Sequence, residues 1–271
     1  MKPRVVIIAA LLALAILIVG LVFWRAQEAA RPSKIAKKKV AKVMAPKLEK
    51  APRAKVAIVM DDFGYNMNDL DTLFSINEPI TLSVLPDLRY SSAVAEYACG
   101  RGYEVILHLP LESHRKDVKE ETDTIRSGMS EQDIIARLAK EIKSVRGLSG
   151  VSNHMGSKST EDRGLMEVIF KYLKKHRLYF FDSVTSDKSV CRELAESTGL
   201  KYARRDIFLD NTDKAEYIDN QLAALEKIAA RRGMAIAVCH DRKNTIAALA
   251  RVMPRMAKRG IQFVTLSDMV R

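Results

Sequence analysis

The sequence contains few cysteines and none of the short glycine motifs that mark nucleotide-binding sites. Its three cysteines, Cys99, Cys191 and Cys239, are widely spaced and form no CxxC pair, so we expect no cysteine-based structural zinc site. The odd number also argues against a disulfide framework. Neither GxGxxG nor GxxxxGK(S/T) occurs, so no motif supports a dinucleotide- or ATP-binding fold.

Acidic residues are almost absent from the first 55 positions, which hold 13 Lys and Arg against Glu28 and Glu49. The other 216 residues carry 32 basic and 31 acidic side chains, so they are close to neutral. Of the net charge of +12, the N-terminal segment therefore carries +11. Residues 26–54 contain no aromatic side chain on which a base could stack, so we expect no nucleic-acid partner.

An uncharged, proline-free run of 20 residues extends from Val5 to Trp24. As a helix it would span about 30 Å, the thickness of a hydrocarbon core. Because no clean Ala-x-Ala site follows, we predict an uncleaved anchor over residues 1–25 rather than a removed signal peptide. Residues 26–54, rich in Ala, Lys and Pro, are predicted to be a basic linker.

The charges on the two sides of this predicted anchor favour opposite membrane orientations. Lys2 and Arg4 before a long apolar run resemble an export signal-anchor, which predicts a single-pass inner-membrane protein with a periplasmic C-terminal domain. The seven Lys and Arg from Arg25 to Lys42 favour a cytoplasmic domain by the positive-inside rule.

Between Lys55 and Arg271, short apolar runs alternate with amphipathic stretches. This alternation predicts a parallel sheet, and its length favours a distorted (β/α)7-8 barrel over an open sheet. The predicted strands are Lys55–Met60, Ile80–Leu85, Glu104–Leu109, Gly150–His154, Leu178–Phe181, Lys201–Ala203, Met234–Cys239 and Ile261–Thr265. The predicted helices are Asn68–Ser75, Ser91–Arg101, Glu131–Val145, Glu161–His176, Ser189–Thr198, Ala215–Arg232 and Thr245–Lys258.

Polar residues follow or end several of these strands. Because the carboxyl ends of parallel strands carry the chemistry of such folds, we expect them to converge on one site. The set is Asp61, Asp62, His108, Asn153, His154, Asp182, Ser183, His240 and Asp241. One carboxylate and two imidazoles from it would leave open positions on a Zn²⁺-type ion, and the remaining groups could transfer protons. The set therefore predicts metal-assisted hydrolysis of an amide or ester.

Four segments resemble the divergent polysaccharide deacetylases, relatives of the NodB-type carbohydrate esterases. They are VAIVMDDFG from Val56, HLPLE from His108, SNHMGS from Ser152 and AVCH from Ala237. The resemblance covers Lys55–Arg271 and implies a NodB-like distorted barrel that removes acetyl groups from a polysaccharide at a divalent metal, with Zn²⁺ expected. It also implies roles for Asp61 as catalytic base, Asp62 and His108 as metal ligands, and His240 as acid.

The third metal ligand is the point at which this chain departs from the family pattern. NodB-type enzymes carry a second histidine four residues after the first, where this sequence has Glu112. His154, Glu112 and His114 are the alternatives, and we favour His154 because it ends its own strand.

The resulting expectation is a membrane-tethered, metal-dependent deacetylase acting on an envelope glycan such as peptidoglycan. The alternative is a catalytically degenerate barrel that binds a glycan or an envelope partner.

Overall fold

The computed structural model describes residues 17–28 and 54–271. Residues 17–28 form helix α1, which belongs to a unit separate from the compact unit Lys50–Arg271. Within the described residues, no helix has both the length and the apolarity needed to cross a membrane. The first twelve residues of the predicted apolar run, 5–16, lie outside the described part, so the anchor stays a prediction. Residues 29–53 of the linker predicted over 26–54 also lie outside it, so the linker stays a prediction too.

A nine-stranded parallel sheet forms the centre of the larger unit. Its strands follow the order β6-β5-β4-β3-β2-β1-β8-β7, and β9 pairs with the first residues of β1. The strands are β1 (Ala54–Phe63), β2 (Thr81–Val84), β3 (Glu104–Leu111), β4 (Leu148–Met155), β5 (Tyr179–Asp182), β6 (Tyr202–Arg204), β7 (Ile207–Phe208), β8 (Met234–His240) and β9 (Ile261–Phe263).

Seven helices connect these strands. They are α2 (Leu70–Phe74), α3 (Ser91–Cys99), α4 (Glu131–Ser144), α5 (Arg163–Lys175), α6 (Cys191–Thr198), α7 (Ala215–Arg232) and α8 (Lys243–Lys258). Side chains cap two of them: Ser130 accepts from the backbone N–H of Asp133 at 3.1 Å, and Asp162 from that of Leu165 at 3.1 Å. These bonds satisfy N–H groups that a helix leaves without internal partners, and so they fix where α4 and α5 begin.

The predicted alternation of strands and helices is confirmed, but the sheet is a half-barrel rather than a closed barrel. All eight predicted strands form, and β7 is the one strand of the described part that was not predicted. The path ends at β6 on one side and at β7 on the other, with no pairing between them. Both end strands are very short, so neither has enough backbone hydrogen-bonding groups to pair with the other and close the barrel.

Apolar residues on the two faces of the sheet form two separate cores. The larger one lies between the strands and the helices, and includes Val56, Ile58 and Met60 of β1. The smaller one fills the inside of the curve and includes Ala57 and Val59. Because successive side chains alternate between faces, each central strand needs apolar residues at nearly every position. The polar site lies where the inner row of side chains ends.

Candidate metal centre and catalytic site

The site residues of two neighbouring strands continue the inner rows of side chains. On β1, Ala57 and Val59 are followed by Asp61 at the same face, and on β8 Val238 is followed by His240. The register places Asp61 directly beside His240. The strand period of two therefore turns these side chains toward the inside of the half-barrel, at its carboxyl edge.

A break in the β1 ladder brings both carboxylates of the Asp61-Asp62 pair into the site. Adjacent strand residues normally face opposite sides of a sheet. Here the register with β2 shifts between Met60 and Phe63, and Asp62 has a left-handed φ of 68°. Aspartate tolerates this conformation better than most residues. The Asp61 side chain stays 4% exposed, whereas that of Asp62 is 34% exposed at the mouth.

Asp62, His108 and His154 form a set that could hold a metal ion. The Asp62 Oδ1 atom lies 3.3 Å from His108 Nε2 and 3.2 Å from His154 Nδ1. One donor atom from each of the three residues lies within 4.8 Å of the others. Two ligands of one tetrahedral Zn²⁺, each about 2.0–2.2 Å from the ion, lie about 3.3 Å apart. The spacing and the chemistry of these donors therefore fit a divalent metal.

The neighbours of the Asp62 carboxyl group favour its ionised form. Burial by itself raises its pKa, but hydrogen bonds and favourable charges from His108 and His154 outweigh burial and bring the pKa well below its ordinary value. An ionised carboxylate between two ring nitrogens is the form that ligates a cation.

The other two candidates for the third ligand, Glu112 and His114, have partners elsewhere. Glu112 Oε1 pairs with Lys158 Nζ at 2.8 Å, and its Oε2 accepts from the Ser127 backbone N–H at 3.0 Å. His114 Nε2 lies 3.1 Å from Glu161 Oε2. The structure thus joins His154, and neither of these two, to Asp62 and His108.

Asp61 is buried beside the metal set. Its Oδ2 is 3.8 Å from His108 Nε2, and its Oδ1 is buried with no hydrogen-bond partner among the described residues. Burial raises the pKa of this carboxyl, and the charge of Asp62 adds to the effect, although His108 and His240 oppose it. A carboxylate that is poorly solvated and lacks a partner is a good acceptor for a proton from a reacting molecule.

His240 is held by Asp210, a residue that was not among the predicted site residues. Asp210 Oδ1 lies 2.8 Å from His240 Nδ1, and its Oδ2 accepts from the His240 backbone N–H at 2.8 Å. Thr245 also donates to Asp210 Oδ2 at 2.8 Å. Burial lowers the pKa of His240, but Asp210 and the Asp61-Asp62 pair outweigh it and raise the pKa above its ordinary value. His240 can therefore carry a proton into the site.

Two buried serines behind His108 were also missed by the sequence reading. His108 Nδ1 lies 2.8 Å from Ser152 Oγ, and Ser152 Oγ lies 2.7 Å from Ser83 Oγ. A lone serine in an apolar strand gives no local signal of such a role. Its register with His108, however, follows from the pairing of β3 with β4.

The polar residues that follow β5 support the loop instead of joining the metal set. Asp182 accepts hydrogen bonds from the Val184 backbone N–H at 2.7 Å and from the Ser189 hydroxyl at 2.7 Å. Asn153 Oδ1 accepts from the Ser183 backbone N–H at 2.8 Å, which ties this loop to the end of β4. Together they hold the backbone beside His154.

Two cavities lie outside the metal set. One of about 540 Å³ is bounded mainly by the charged loop after β3, with Lys158 on its far side. The other, of about 950 Å³, lies at the open seam between β6 and β8, and none of the five predicted site residues lines it. The candidate metal-binding residues therefore lie at the ends of the strands and not in the larger cavity.

Comparisons with known proteins agree with the half-barrel fold. Residues 58–270 match the profile of the divergent polysaccharide deacetylases. An uncharacterised protein of Haemophilus influenzae is 34% identical over 197 residues, which cover 73% of this chain and 70% of that protein. The crystal structure of an uncharacterised Agrobacterium tumefaciens C58 protein has a TM-score of 0.76 and 25% identity, covering 82% of this chain and 91% of that one. The Bc1960 peptidoglycan N-acetylglucosamine deacetylase has the same fold, with a TM-score of 0.50, 15% identity and coverage of 79% and 87%.

Proposed function

We propose, from the premise that this chain belongs to the divergent polysaccharide deacetylase family, that it hydrolyses acetyl groups of an envelope polysaccharide with a bound divalent metal. The observation that carries the proposal is the 3.2–3.3 Å spacing of the Asp62, His108 and His154 donor atoms. Asp61 and His240 flank this set as two separate proton-transfer groups. Zn²⁺ is the ion that we expect, because one carboxylate and two imidazoles are typical of catalytic zinc sites.

Each protein group has a distinct part in the proposed reaction. A divalent ion held by the three donors would polarise the acetyl carbonyl and make a water molecule more acidic. Asp61 takes a proton from that water as its oxygen bonds to the carbonyl carbon. His240 gives its proton to the amide nitrogen or to the ester's alkoxy oxygen as the bond from that atom to the acyl carbon breaks, which releases the sugar amine or alcohol and acetate. Asp210 keeps Nδ1 of His240 engaged, so Nε2 is the atom that faces the site.

The metal content of the purified full-length protein tests the ligand set. We expect about one zinc per chain by elemental mass spectrometry, and a clear loss of metal in Asp62→Ala and His154→Ala. Glu112→Gln is the matched control, since it removes a nearby carboxylate that is paired with Lys158. Equal metal content in all four proteins would contradict the proposed ligand set.

Acetate release from acetylated peptidoglycan and from N-acetylglucosamine oligomers tests catalysis. Asp61→Asn should lower turnover by roughly 10²–10⁴-fold while metal stays bound, because general-base catalysis is lost and the ligands remain. The alternative function is a barrel that binds glycan without turnover. Glycan binding equal in the wild type and Asp61→Asn, with no acetate released by metal-loaded wild type, would establish that alternative.

We also propose that residues 1–25 anchor the protein in the inner membrane and that the domain over 55–271 lies on the periplasmic side. The uncharged run from Val5 to Trp24 and the Lys2 and Arg4 charges before it support this arrangement. Intact spheroplasts should expose the domain to added protease, and the protein should stay with membranes after an alkaline wash. Protection from protease until the cells are lysed would reverse the proposed orientation.

A further inference from the structure

A line of buried polar side chains lies behind His108. Ser152 Oγ lies 2.8 Å from His108 Nδ1, and Ser83 Oγ lies 2.7 Å from Ser152 Oγ. Both serines are fully buried, and they belong to different strands, β4 and β2. The two serines thus give the inner ring nitrogen of a proposed metal ligand a hydrogen-bonded partner inside the protein.

The donors in this line can be ordered from its chemistry. His108 Nε2 faces Asp62 Oδ1 at 3.3 Å, so a metal held there needs the lone pair of Nε2 and leaves the ring proton on Nδ1. Nδ1–H then donates to Ser152 Oγ. The Ser152 hydroxyl hydrogen is better directed at Ser83 Oγ, at 2.7 Å, than at the Leu107 carbonyl, at 3.4 Å.

We propose that Ser83 and Ser152 are positioning residues, which hold His108 with Nδ1–H turned away from the site and Nε2 turned toward the metal. This inference rests on the proposed function of the site. A strand core needs only apolar side chains of suitable size at these positions. Two hydroxyls placed end to end behind His108 meet the separate need of a metal-binding imidazole for a fixed partner on its other nitrogen.

The zinc dissociation constant of the full-length protein, measured by chelator competition, is the first readout. Ser152→Ala removes the acceptor of His108 Nδ1–H and should weaken zinc binding by roughly 10–100-fold. Ser83→Ala keeps that acceptor and should cause a smaller loss. Ser91→Ala is the matched control, because it deletes another buried hydroxyl, bonded to the Leu85 carbonyl, without touching His108. Zinc binding by Ser152→Ala at the wild-type strength would overturn the proposal.

A second readout does not depend on metal or on activity. In ¹⁵N-labelled, metal-free protein, His108 Nδ1–H should give a slowly exchanging ring signal, because the proton is buried and bonded to Ser152. We expect the signal in wild type and Ser91→Ala, and its loss in Ser152→Ala. If wild type binds no metal, the proposed function fails, and this signal alone still decides whether Ser152 holds the imidazole. Persistence of the signal in Ser152→Ala would refute the positioning role.

Discussion

The contact between His240 and Asp210 is the residue-scale feature with the clearest consequence for catalysis. The carboxylate bonds both the ring Nδ1 and the backbone N–H of His240, each at 2.8 Å. It is therefore placed to fix the orientation of the ring and to keep it protonated. Phe208 lies parallel to the ring at 6.0 Å between centroids, and it limits movement on that side.

Asp210→Asn should lower kcat and shift its pH dependence. The pKa of His240 is raised in the folded protein because Asp210 and the site carboxylates outweigh burial, which lowers it. Without the Asp210 charge the pKa falls, so His240 loses its proton at a lower pH and the alkaline limb of the kcat profile moves toward acid. The pH dependence of acetate release measures this shift.

Asp213→Asn is the control for that change, since Asp213 is exposed and bonds only Asn244 among the described residues. Its profile should match that of the wild type. An unchanged alkaline limb in Asp210→Asn would show that His240 does not depend on Asp210 for its proton.

At the scale of secondary-structure elements, α4 contains a carboxyl group that its surroundings keep neutral. Glu141 is fully buried, and neither of its side-chain oxygens has a hydrogen-bond partner among the described residues. Burial, reinforced by the charges of Asp123 and Asp87, raises the pKa of Glu141 to about 9. Helix α4 therefore packs against the domain with a proton that the unfolded chain would release at neutral pH.

Glu141→Gln should make the protein more stable in alkaline solution. Because the folded-state pKa is raised, the contribution of wild-type Glu141 is complete below its ordinary pKa of 4.5 and declines as the pH rises toward about 9. The decline amounts to at most about 1.4 kcal/mol per pH unit in that window. Urea unfolding at pH 5 and at pH 8.5 should therefore show a gain for the variant at the higher pH alone.

Glu131→Gln serves as the comparison for this pH effect, because Glu131 is exposed in the first turn of the same helix. It should change stability little and equally at both pH values. If the free energies of unfolding of the wild type and Glu141→Gln differ by the same amount at pH 5 and at pH 8.5, the buried Glu141 is not neutral.

At the scale of the whole molecule, Glu104 connects the C-terminal segment of the described domain to the central sheet. It lies at the amino end of β3 and accepts from the backbone N–H groups of Leu266 at 2.7 Å and Ser267 at 3.2 Å. The Thr81 hydroxyl, at 2.8 Å, and the Tyr179 hydroxyl, at 3.1 Å, also donate to it. One carboxylate thus attaches the C-terminal segment to β2, β3 and β5, at the edge opposite the candidate metal site.

Glu104→Gln should lower the free energy of unfolding by about 2–4 kcal/mol, because an amide cannot accept from all four donors and leaves some of them buried without a partner. Thermal or urea unfolding measures the loss. Glu96→Gln, on the exposed side of α3, is the control and should be nearly neutral. A neutral Glu104→Gln would mean that the C-terminal segment is held by its apolar contacts alone.

The sequence determined the order of strands and helices, because both depend on local patterns of apolar residues. It also located Asp61, His108, His154 and His240, since the ends of parallel strands must meet at one edge of the sheet. The roles of these residues as base, ligands and acid remain predictions until metal binding and turnover are measured.

Only the tertiary structure decided the finer features of the site. The left-handed backbone at Asp62 depends on how β1 pairs with β2, and the pairing of Glu112 with Lys158 joins residues 46 positions apart. Asp210, which bonds His240, follows β7, and this strand of two residues is too short to show the alternation of apolar and polar residues that predicts a strand. The open seam likewise follows from the pairing of β6 with β5 and of β7 with β8, which leaves β6 and β7 unpaired with each other. Each of these features is set by contacts between distant segments, which a local pattern does not contain.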